Sequence, residues 1–294
     1  ILKEGLKYEP ETYEIEAENC TIKKKAFLIS CANASQYGMG VSVAERQKEE
    51  RLKEYIKNLG SLAVAFSGGV DSTYLAKIAH DVLGDKMIAV TAESGSFPKR
   101  ETGEAAHFCK EQGIRQIVVQ TNELEIEGFK ENPPDRCYIC KTGIFTQLKE
   151  QAAELGIEYV ADGSNVDDLG DYRPGLQALK ELDVKSPLRE AGMTKQDIRN
   201  LSHEHGLWTW NKPSAACLAS RFAYGETITL EKLGMVERAE RILEDYGFIQ
   251  MRVRMHGENL ARIEVTPDEL ARLLTLREEV VAKFKEIGFT YVTM

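Results

Sequence analysis

One stretch decides the fold of this 294-residue chain: Leu62-Ala63-Val64-Ala65-Phe66-Ser67-Gly68-Gly69-Val70-Asp71-Ser72-Thr73. An apolar run that predicts a strand leads through a glycine pair into a helical pattern that begins at Tyr74. Glycines at such a turn leave backbone N–H groups and the positive helix end open to a phosphate. Asp71 suits a Mg²⁺ ion that the phosphates would share. We therefore expect ATP to bind at Ser67, Gly68, Gly69, Asp71 and Ser72.

The loop differs from the commonest phosphate-binding patterns. No Gly-Lys-Ser/Thr follows the glycines, and the loop does not read G-x-G-x-x-G. An ordinary Gly-Gly turn with a Ser or Asp helix cap is the structural alternative. The order of strand, loop and helix favours the nucleotide site, because phosphate binding requires that context.

The composition is typical of a cytoplasmic enzyme. With 43% hydrophobic residues, the chain has enough apolar side chains for one large domain and a smaller one. The net charge of −9, with Lys23-Lys24-Lys25 as the longest basic run, argues against an extended nucleic-acid surface. No apolar run approaches the ~18 residues that cross a membrane. Six cysteines without a secretory signal indicate reduced thiols or metal ligands.

From Leu62 onward, after an opening helix predicted over 43–59, strand and helix patterns alternate as in a doubly wound parallel α/β sheet. The predicted strands cover 62–66, 87–90, 116–119 and 159–161, and the helices between them cover 74–83, 99–112 and 143–155. Ligands bind at the carboxyl ends of parallel strands, so the Ser67 loop and the turns at 91–93 and 162–165 should share one crevice.

The sequence divides the chain into three regions. Residues 1–43 form an unassigned extension, in which Met39 is a candidate natural start, and 44–212 form the nucleotide-binding domain. Residues 213–294 predict a small α+β domain, which we expect to bind substrate and transfer its reacting group. Its predicted helices cover 230–246 and 267–287, and its predicted strands cover 251–255, 261–265 and 291–292.

Cysteines form the second informative pattern. Cys137 and Cys140 make a Cys-x-x-Cys pair, and Cys217 lies far along the chain. A lone pair of this kind is weak evidence, since it fits a redox pair, half a zinc site or two incidental thiols. Three thiolates can also hold a four-iron cluster and leave one iron without a protein ligand.

The motifs resemble a known family. The Ser67 loop is similar to the PP-loop of ATP pyrophosphatases, which have an adenine nucleotide alpha hydrolase-like fold and cleave ATP between the α and β phosphates. Together with the segments 162–175, 186–188, 217–221 and 252–257, it resembles the LarE family from about Ala44 to the C-terminus. The resemblance implies an ATP-dependent sulfur transferase of nickel-pincer nucleotide synthesis. Such an enzyme adenylates the carboxylates of a pyridinium mononucleotide and converts them to thiocarboxylates, releasing AMP and pyrophosphate.

The resemblance also implies two alternative sulfur sources. In one type of family member, the cysteine at the position of Cys217 gives up its own sulfur. In the other, cysteines matching Cys137, Cys140 and Cys217 bind a [4Fe-4S] cluster that carries a sulfide. We favour the cluster because all three cysteines are present. The alternative is that Cys137 and Cys140 are bystanders on a mobile loop.

Two arginines predict the site of the substrate phosphate. Arg252 and Arg254 alternate along a predicted strand, so their side chains fall on one face. A solvated strand edge, with arginine paired to Glu264, is the competing interpretation. Ser220 and Arg221 adjoin Cys217, and we expect them to bind substrate as well.

The turn after the fourth predicted strand contributes to the nucleotide site. We expect Gly163 to bind ATP, and Asp162, Asn165 and Asp168 to orient nucleotide or magnesium. Turn formation by the Asp and Asn side chains is the competing interpretation.

Two other functions use the same ATP loop. A tRNA thiolase with three cysteines would act on a base carbonyl, although the acidic balance counts against it. An ammonia-dependent ligase such as NAD or GMP synthetase would not need the three cysteines. The resemblance implies a homo-oligomer, and we expect neither a nucleic-acid nor a membrane partner. The resemblance does not identify the sulfide donor.

Overall fold

The computed structural model describes residues 11–17, 20–26, 41–170, 174–213 and 216–294. Met39 and the motif residues 171–173 therefore lie outside the described part of the chain. At the N-terminus, β1 (Glu11–Ala17) and β2 (Cys20–Ala26) form an antiparallel hairpin in which Ile15 is opposite Ile22.

A parallel sheet forms the centre of residues 41–213. Its strands are β3 (Leu62–Ala65), β4 (Met87–Glu93), β5 (Gln116–Gln120) and β6 (Val160–Ala161). They lie in the order β5-β4-β3-β6, and every neighbouring pair is parallel. The chain moves outward from β3 through β4 to β5 and then returns to the other side of β3 with β6. The order therefore reverses between β3 and β6, where ligand crevices form in such sheets.

Helices cover both faces of this sheet. They are α1 (Val43–Leu59), α2 (Val70–Leu83), α3 (Lys99–Gln112), α4 (Arg136–Glu154), α5 (Pro174–Glu181), α6 (Pro187–Glu190) and α7 (Lys195–Glu204). Alternate strand residues enter separate cores, with Val64 packed among α1, α2 and α7, and Ala63 packed among α4 and α5. This arrangement confirms the predicted doubly wound α/β class.

A small second sheet follows. It contains β7 (Met251–His256), β8 (Leu260–Val265) and β9 (Tyr291–Thr293), with β7 and β8 antiparallel and β9 parallel to β8. The helices α8 (Leu230–Asp245), α9 (Pro267–Thr275) and α10 (Arg277–Ile287) share its hydrophobic core. The predicted third strand is confirmed.

Two predicted helices were wrong in their limits. The single helix expected over 267–287 is two helices that meet at Leu276, which lets Leu273 and Phe284 enter the same core from different directions. Helix α4 begins at Arg136, before the predicted start at Gly143, because tertiary hydrogen bonds fix its first turn. Cys137 and Cys140 consequently lie on a helix, which corrects the idea that they belong to a mobile loop.

Candidate functional site

The loop between β3 and α2 has the backbone of a phosphate cradle. Gly68 has a φ of +71°, which a residue with a side chain rarely adopts. A Cβ there would also lie 3.4 Å from Ala105 Cβ, so glycine suits both the turn and the packing. Gly69 caps the fourteen-residue helix α2, whose N-terminus faces the loop. The hydroxyls of Ser67 and Ser72 are 3.1 Å apart and hold the loop closed.

Gly163 brings a second loop against this cradle. A Cβ at Gly163 would lie 3.1 Å from the Ser72 amide nitrogen and 3.3 Å from Asp71 Cβ. A side chain at this position would crowd the contact between the β6 loop and the first turn of α2, so glycine suits this close approach. The structure thus brings together the predicted nucleotide residues of both loops.

Asp71 is held by two groups that the motif does not contain. Lys195 Nζ forms an ion pair with Asp71 Oδ2, and Asn165 Nδ2 donates to Asp71 Oδ1 at 3.4 Å. A second lysine, Lys212, donates to the Gly68 carbonyl at 3.1 Å and pairs with Glu104 at 2.8 Å. Sequence reasoning missed both lysines, because only the fold brings such distant positions to the loop.

The remaining polar groups of the β6 loop are used mainly inside the protein. Asp162 is buried and accepts hydrogen bonds from Ser164 and, at 2.7 Å, from Ser186. Asp168 accepts from the Asn165 amide at 2.9 Å, and Asn165 Oδ1 accepts from the Asp167 amide at 2.9 Å. These bonds favour the turn-forming interpretation of Asn165 and Asp168.

One cavity joins the phosphate loop to three cysteines. This cysteine cavity has a volume of about 330 Å³ and is lined by Ser67, Thr91, Asp162, Cys137, Cys140 and Cys217, among others. Apolar side chains, including Phe97, Ile144 and Phe145, form much of its wall. Residues at the carboxyl ends of β3, β4 and β6 therefore share one crevice, as the sequence predicted.

The cysteines enter the cavity from two elements. Cys137 and Cys140 lie one turn apart on α4, and Cys217 precedes the short helical turn Leu218–Arg221. Cys217 Sγ donates to the Ser96 carbonyl at 3.4 Å. Burial raises the pKa of Cys217 to about 11, despite the opposing backbone hydrogen bond from Ala219, and burial also raises the pKa of Cys140. Both are therefore neutral thiols at pH 7 when no metal is bound.

The three sulfurs do not form a site for a single metal ion. The described residues contain no group of three His, Cys, Asp or Glu side chains placed to hold one. The three cysteines nevertheless line one cavity.

Arg221 anchors the loop that carries Cys217. Its side chain is buried, and Nε and Nη2 donate to Glu240 at 2.8 and 2.9 Å. Nη1 donates to the Ala216 carbonyl at 3.0 Å and to Ser220 Oγ at 2.9 Å. Arg136 also anchors this loop, because it donates to the Ala219 carbonyl at 2.9 Å. Cys217 is thus presented by a loop that two buried arginines hold in place.

Arg252 and Arg254 lie on one face of β7, as predicted, but they have different surroundings. Arg254 donates from Nε to Glu264 at 2.8 and 2.9 Å and from Nη1 to the Ser220 carbonyl at 3.0 Å. Arg252 lines a second cavity of about 330 Å³, which we call the arginine cavity, with Lys212, Arg221, Arg241 and several glutamates. Burial and then the charge of Arg221 lower the pKa of Arg252. The lining contains as many glutamates as basic residues, so the cavity has no excess of positive charge around Arg252.

Comparisons with known proteins identify the family of this chain. A family model described as NAD synthase matches residues 44–133. A pyridinium-3,5-bisthiocarboxylic acid mononucleotide synthase of Lactiplantibacillus plantarum is 38% identical over 248 residues, which are 84% of this chain and 90% of that protein. This chain belongs to the LarE family.

Other proteins are similar to this chain as well. An uncharacterized protein of Synechocystis sp. is 45% identical over 249 residues, or 84% of this chain and 92% of that protein. A glutamine-hydrolyzing GMP synthase chain of Thermoplasma acidophilum is 31% identical over 215 residues, or 68% of this chain and 67% of that protein. This chain is therefore also similar in sequence to a GMP synthase subunit.

Proposed function

We propose that this protein is an ATP-dependent sulfur transferase that converts the ring carboxylates of a pyridinium mononucleotide to thiocarboxylates. The similar synthase from Lactiplantibacillus plantarum carries the name of such a product. The observation that carries the proposal is a cavity lined both by Ser67 of the phosphate loop and by three cysteines. An activated carboxylate and a sulfur donor would meet there.

The first step is adenylation of the carboxylate. A carboxylate is a poor acyl donor, since its leaving group would be oxide. Its oxygen attacks the α-phosphorus of ATP, the bond to the β-phosphate breaks, and pyrophosphate leaves from the N-terminus of α2. Gly68, Gly69 and the hydroxyls of Ser67 and Ser72 bind the departing phosphates, and Gly163 lets the second loop close over them.

Asp71 fits a Mg²⁺ ion, because its carboxylate already attracts the Lys195 ammonium beside the loop. Bound Mg²⁺ would offset phosphate charge. The Asn165 side chain holds Asp71 in position beside the phosphate loop by a hydrogen bond.

In the second step, a sulfur nucleophile attacks the acyl carbon and AMP leaves. The apolar walls of the cysteine cavity, with Ile144 and Phe145, exclude the water that would hydrolyse the acyl adenylate. Arg136 and Arg221 keep the Cys217 loop rigid, so that the acceptor and donor stay aligned.

We assign Cys137, Cys140 and Cys217 as the ligands of a [4Fe-4S] cluster. The proposal is supported by the position of the three thiols, which line one cavity. Such a cluster supplies an iron without a protein ligand, where a sulfide can bind. Sacrifice of the Cys217 sulfur is the competing source.

The arginine cavity binds the substrate phosphate in this proposal. Arg252 lines it and makes the direct contact. Arg254 and Ser220 shape the adjoining wall, and Arg221 links that wall to the Cys217 loop.

We further propose a cytoplasmic homo-oligomer without nucleic-acid partners, and the net charge of −9 supports the last point. None of the helices in the described ranges is long and apolar enough to span a bilayer. We also propose domains at 44–212 and 213–294, because one hydrophobic core lies wholly within the first range and a second draws all its buried residues except Phe129 from the other.

An ammonia-dependent ligase is the second candidate, because of the similarity to GMP synthase. The deciding experiment incubates the anaerobic protein with ATP, the biscarboxylic acid mononucleotide and either sulfide or ammonium. We expect AMP and a thiocarboxylate by mass spectrometry with sulfide, and neither product in a Cys217→Ala variant. Amide formation from ammonium, retained in that variant, would contradict the proposal.

A further inference from the structure

The cysteine cavity and the arginine cavity meet at one side chain. Among the described residues, Glu101 is the only one that lines both. It lies on α3, and its carbonyl oxygen would be 3.5 Å from a Cβ built on Gly68, so its backbone adjoins the phosphate loop. Glu101 therefore lies where the two cavities adjoin, a boundary that we call the passage.

The Glu101 carboxylate lacks a hydrogen-bond partner among the described residues. Glu101 is half-buried, and no described residue donates a hydrogen bond to its side chain. Burial raises its pKa, while the charges of Lys212 and Arg221 favour ionisation. By contrast, Glu104 on the same helix is paired with Lys212 and Arg100, each at 2.8 Å. A carboxylate left at a passage without a hydrogen bond is available to a ligand.

The proposed substrate, on which this inference rests, must cross that passage. Its phosphate would bind at Arg252 in the arginine cavity, and its reacting carboxylate would reach the phosphate loop in the cysteine cavity. The ring that joins these two groups would then lie beside Glu101. A pyridinium ring carries a positive charge, and opposite charges attract strongly in a partly buried passage.

We propose that the Glu101 carboxylate binds the positively charged pyridinium ring and selects it over a neutral ring of the same shape. The same negative charge repels the ring carboxylates. It therefore turns them away from the passage and toward the loop and Cys217. Glu101 is in this way both a binding and a positioning residue.

Calorimetric titration tests the proposal with two probes, in the presence of α,β-methylene-ATP. The first is nicotinic acid mononucleotide, which has a pyridinium ring, and the second is its 1,4-dihydro form, which has a neutral ring. We expect the wild-type protein to prefer the pyridinium form. The Glu101→Gln variant should lose about tenfold in affinity for that form alone, as expected for one partly buried charge pair.

A matched control and two contrary results complete the test. Glu104→Gln should keep the wild-type ratio of the two affinities, because the charge of Glu104 is already paired. An unchanged ratio in Glu101→Gln, with tight binding by the wild type, would overturn this inference alone. A wild-type protein that binds neither probe would overturn the proposed function and the inference together.

Discussion

Gly163 shows how much of the nucleotide site depends on single atoms. Its missing Cβ leaves room for the Ser72 amide nitrogen, which would lie only 3.1 Å from a Cβ at this position. The motif around Ser67 could be recognised from sequence because its glycines and hydroxyls are adjacent in the chain. Lys195, Lys212 and Glu101 could not, since each reaches the site from another element and belongs to no local pattern.

We predict that Gly163→Ala weakens the binding of α,β-methylene-ATP by at least about tenfold, because the added methyl pushes the two loops apart. Gly103→Ala is the control. It adds a methyl within α3 where no atom lies within 4 Å, so it should leave binding unchanged and stabilise the helix by about 0.5–1 kcal/mol. Calorimetry and urea unfolding measure the two effects, and equal nucleotide affinity in both variants would refute this use of Gly163.

Lys195 allows a second prediction at this scale. Its ammonium occupies a cation position on Asp71, so Mg²⁺ must compete with it. We predict that Lys195→Met lowers the Mg²⁺ concentration needed for half-maximal binding of α,β-methylene-ATP. Lys185→Met, which removes a lysine paired with the exposed Asp183, should leave that concentration unchanged. A higher Mg²⁺ requirement in Lys195→Met would mean that Lys195 assists nucleotide binding rather than competing with the ion.

At the scale of elements, periodicity predicted α1 and α3 to the residue, because each has an apolar stripe and clear end signals. Periodicity did not predict the start of α4. The first turn of that helix depends on the hydrogen bond from Arg136 to the carbonyl of Ala219, a residue of a distant segment. Periodicity also failed between α9 and α10, where both helices keep an apolar face through the break. Tertiary contacts decide these limits.

A buried network between α1, α2 and the end of α7 predicts acid sensitivity. Glu49 accepts from Tyr74 at 3.0 Å, lies 3.0 Å from His205 Nε2 and pairs with Lys53 at 2.6 Å. Burial alone would raise the pKa of Glu49, but the hydrogen bonds from His205 and Lys53 outweigh it and lower the pKa from 4.5 to about 2.

The folded-state pKa lies below the unfolded value, so this stabilisation is present above about pH 4.5 and is lost as pH falls toward 2. We predict that Glu49→Gln flattens the acid limb of the stability profile by up to about 3 kcal/mol between these values. Urea unfolding at a series of pH values measures it. Glu50→Gln, at an exposed position on the same helix, should keep the wild-type slope, and a wild-type slope in Glu49→Gln would contradict the assignment.

For the molecule as a whole, Cys140 lies where two hydrophobic cores meet. Cys140 packs against the core of the parallel-sheet helices and also against the C-terminal core, which Cys217 adjoins as well. The sequence identified all three cysteines, but it could not show that a shared cavity connects them to the phosphate loop. That connection depends on long-range packing, and it turns three separate thiols into one candidate centre for sulfur transfer.

The most direct test of that centre counts iron and acid-labile sulfide per chain in protein purified without oxygen. We predict about four iron atoms and at least about four sulfides in the wild type. Cys137→Ala should lose both, whereas Cys109→Ala, which removes a thiol buried in the core away from the cavity, should keep them. Absence of both elements after reconstitution, with conversion of Cys217 to dehydroalanine in a single turnover, would contradict the cluster and make Cys217 the sulfur source.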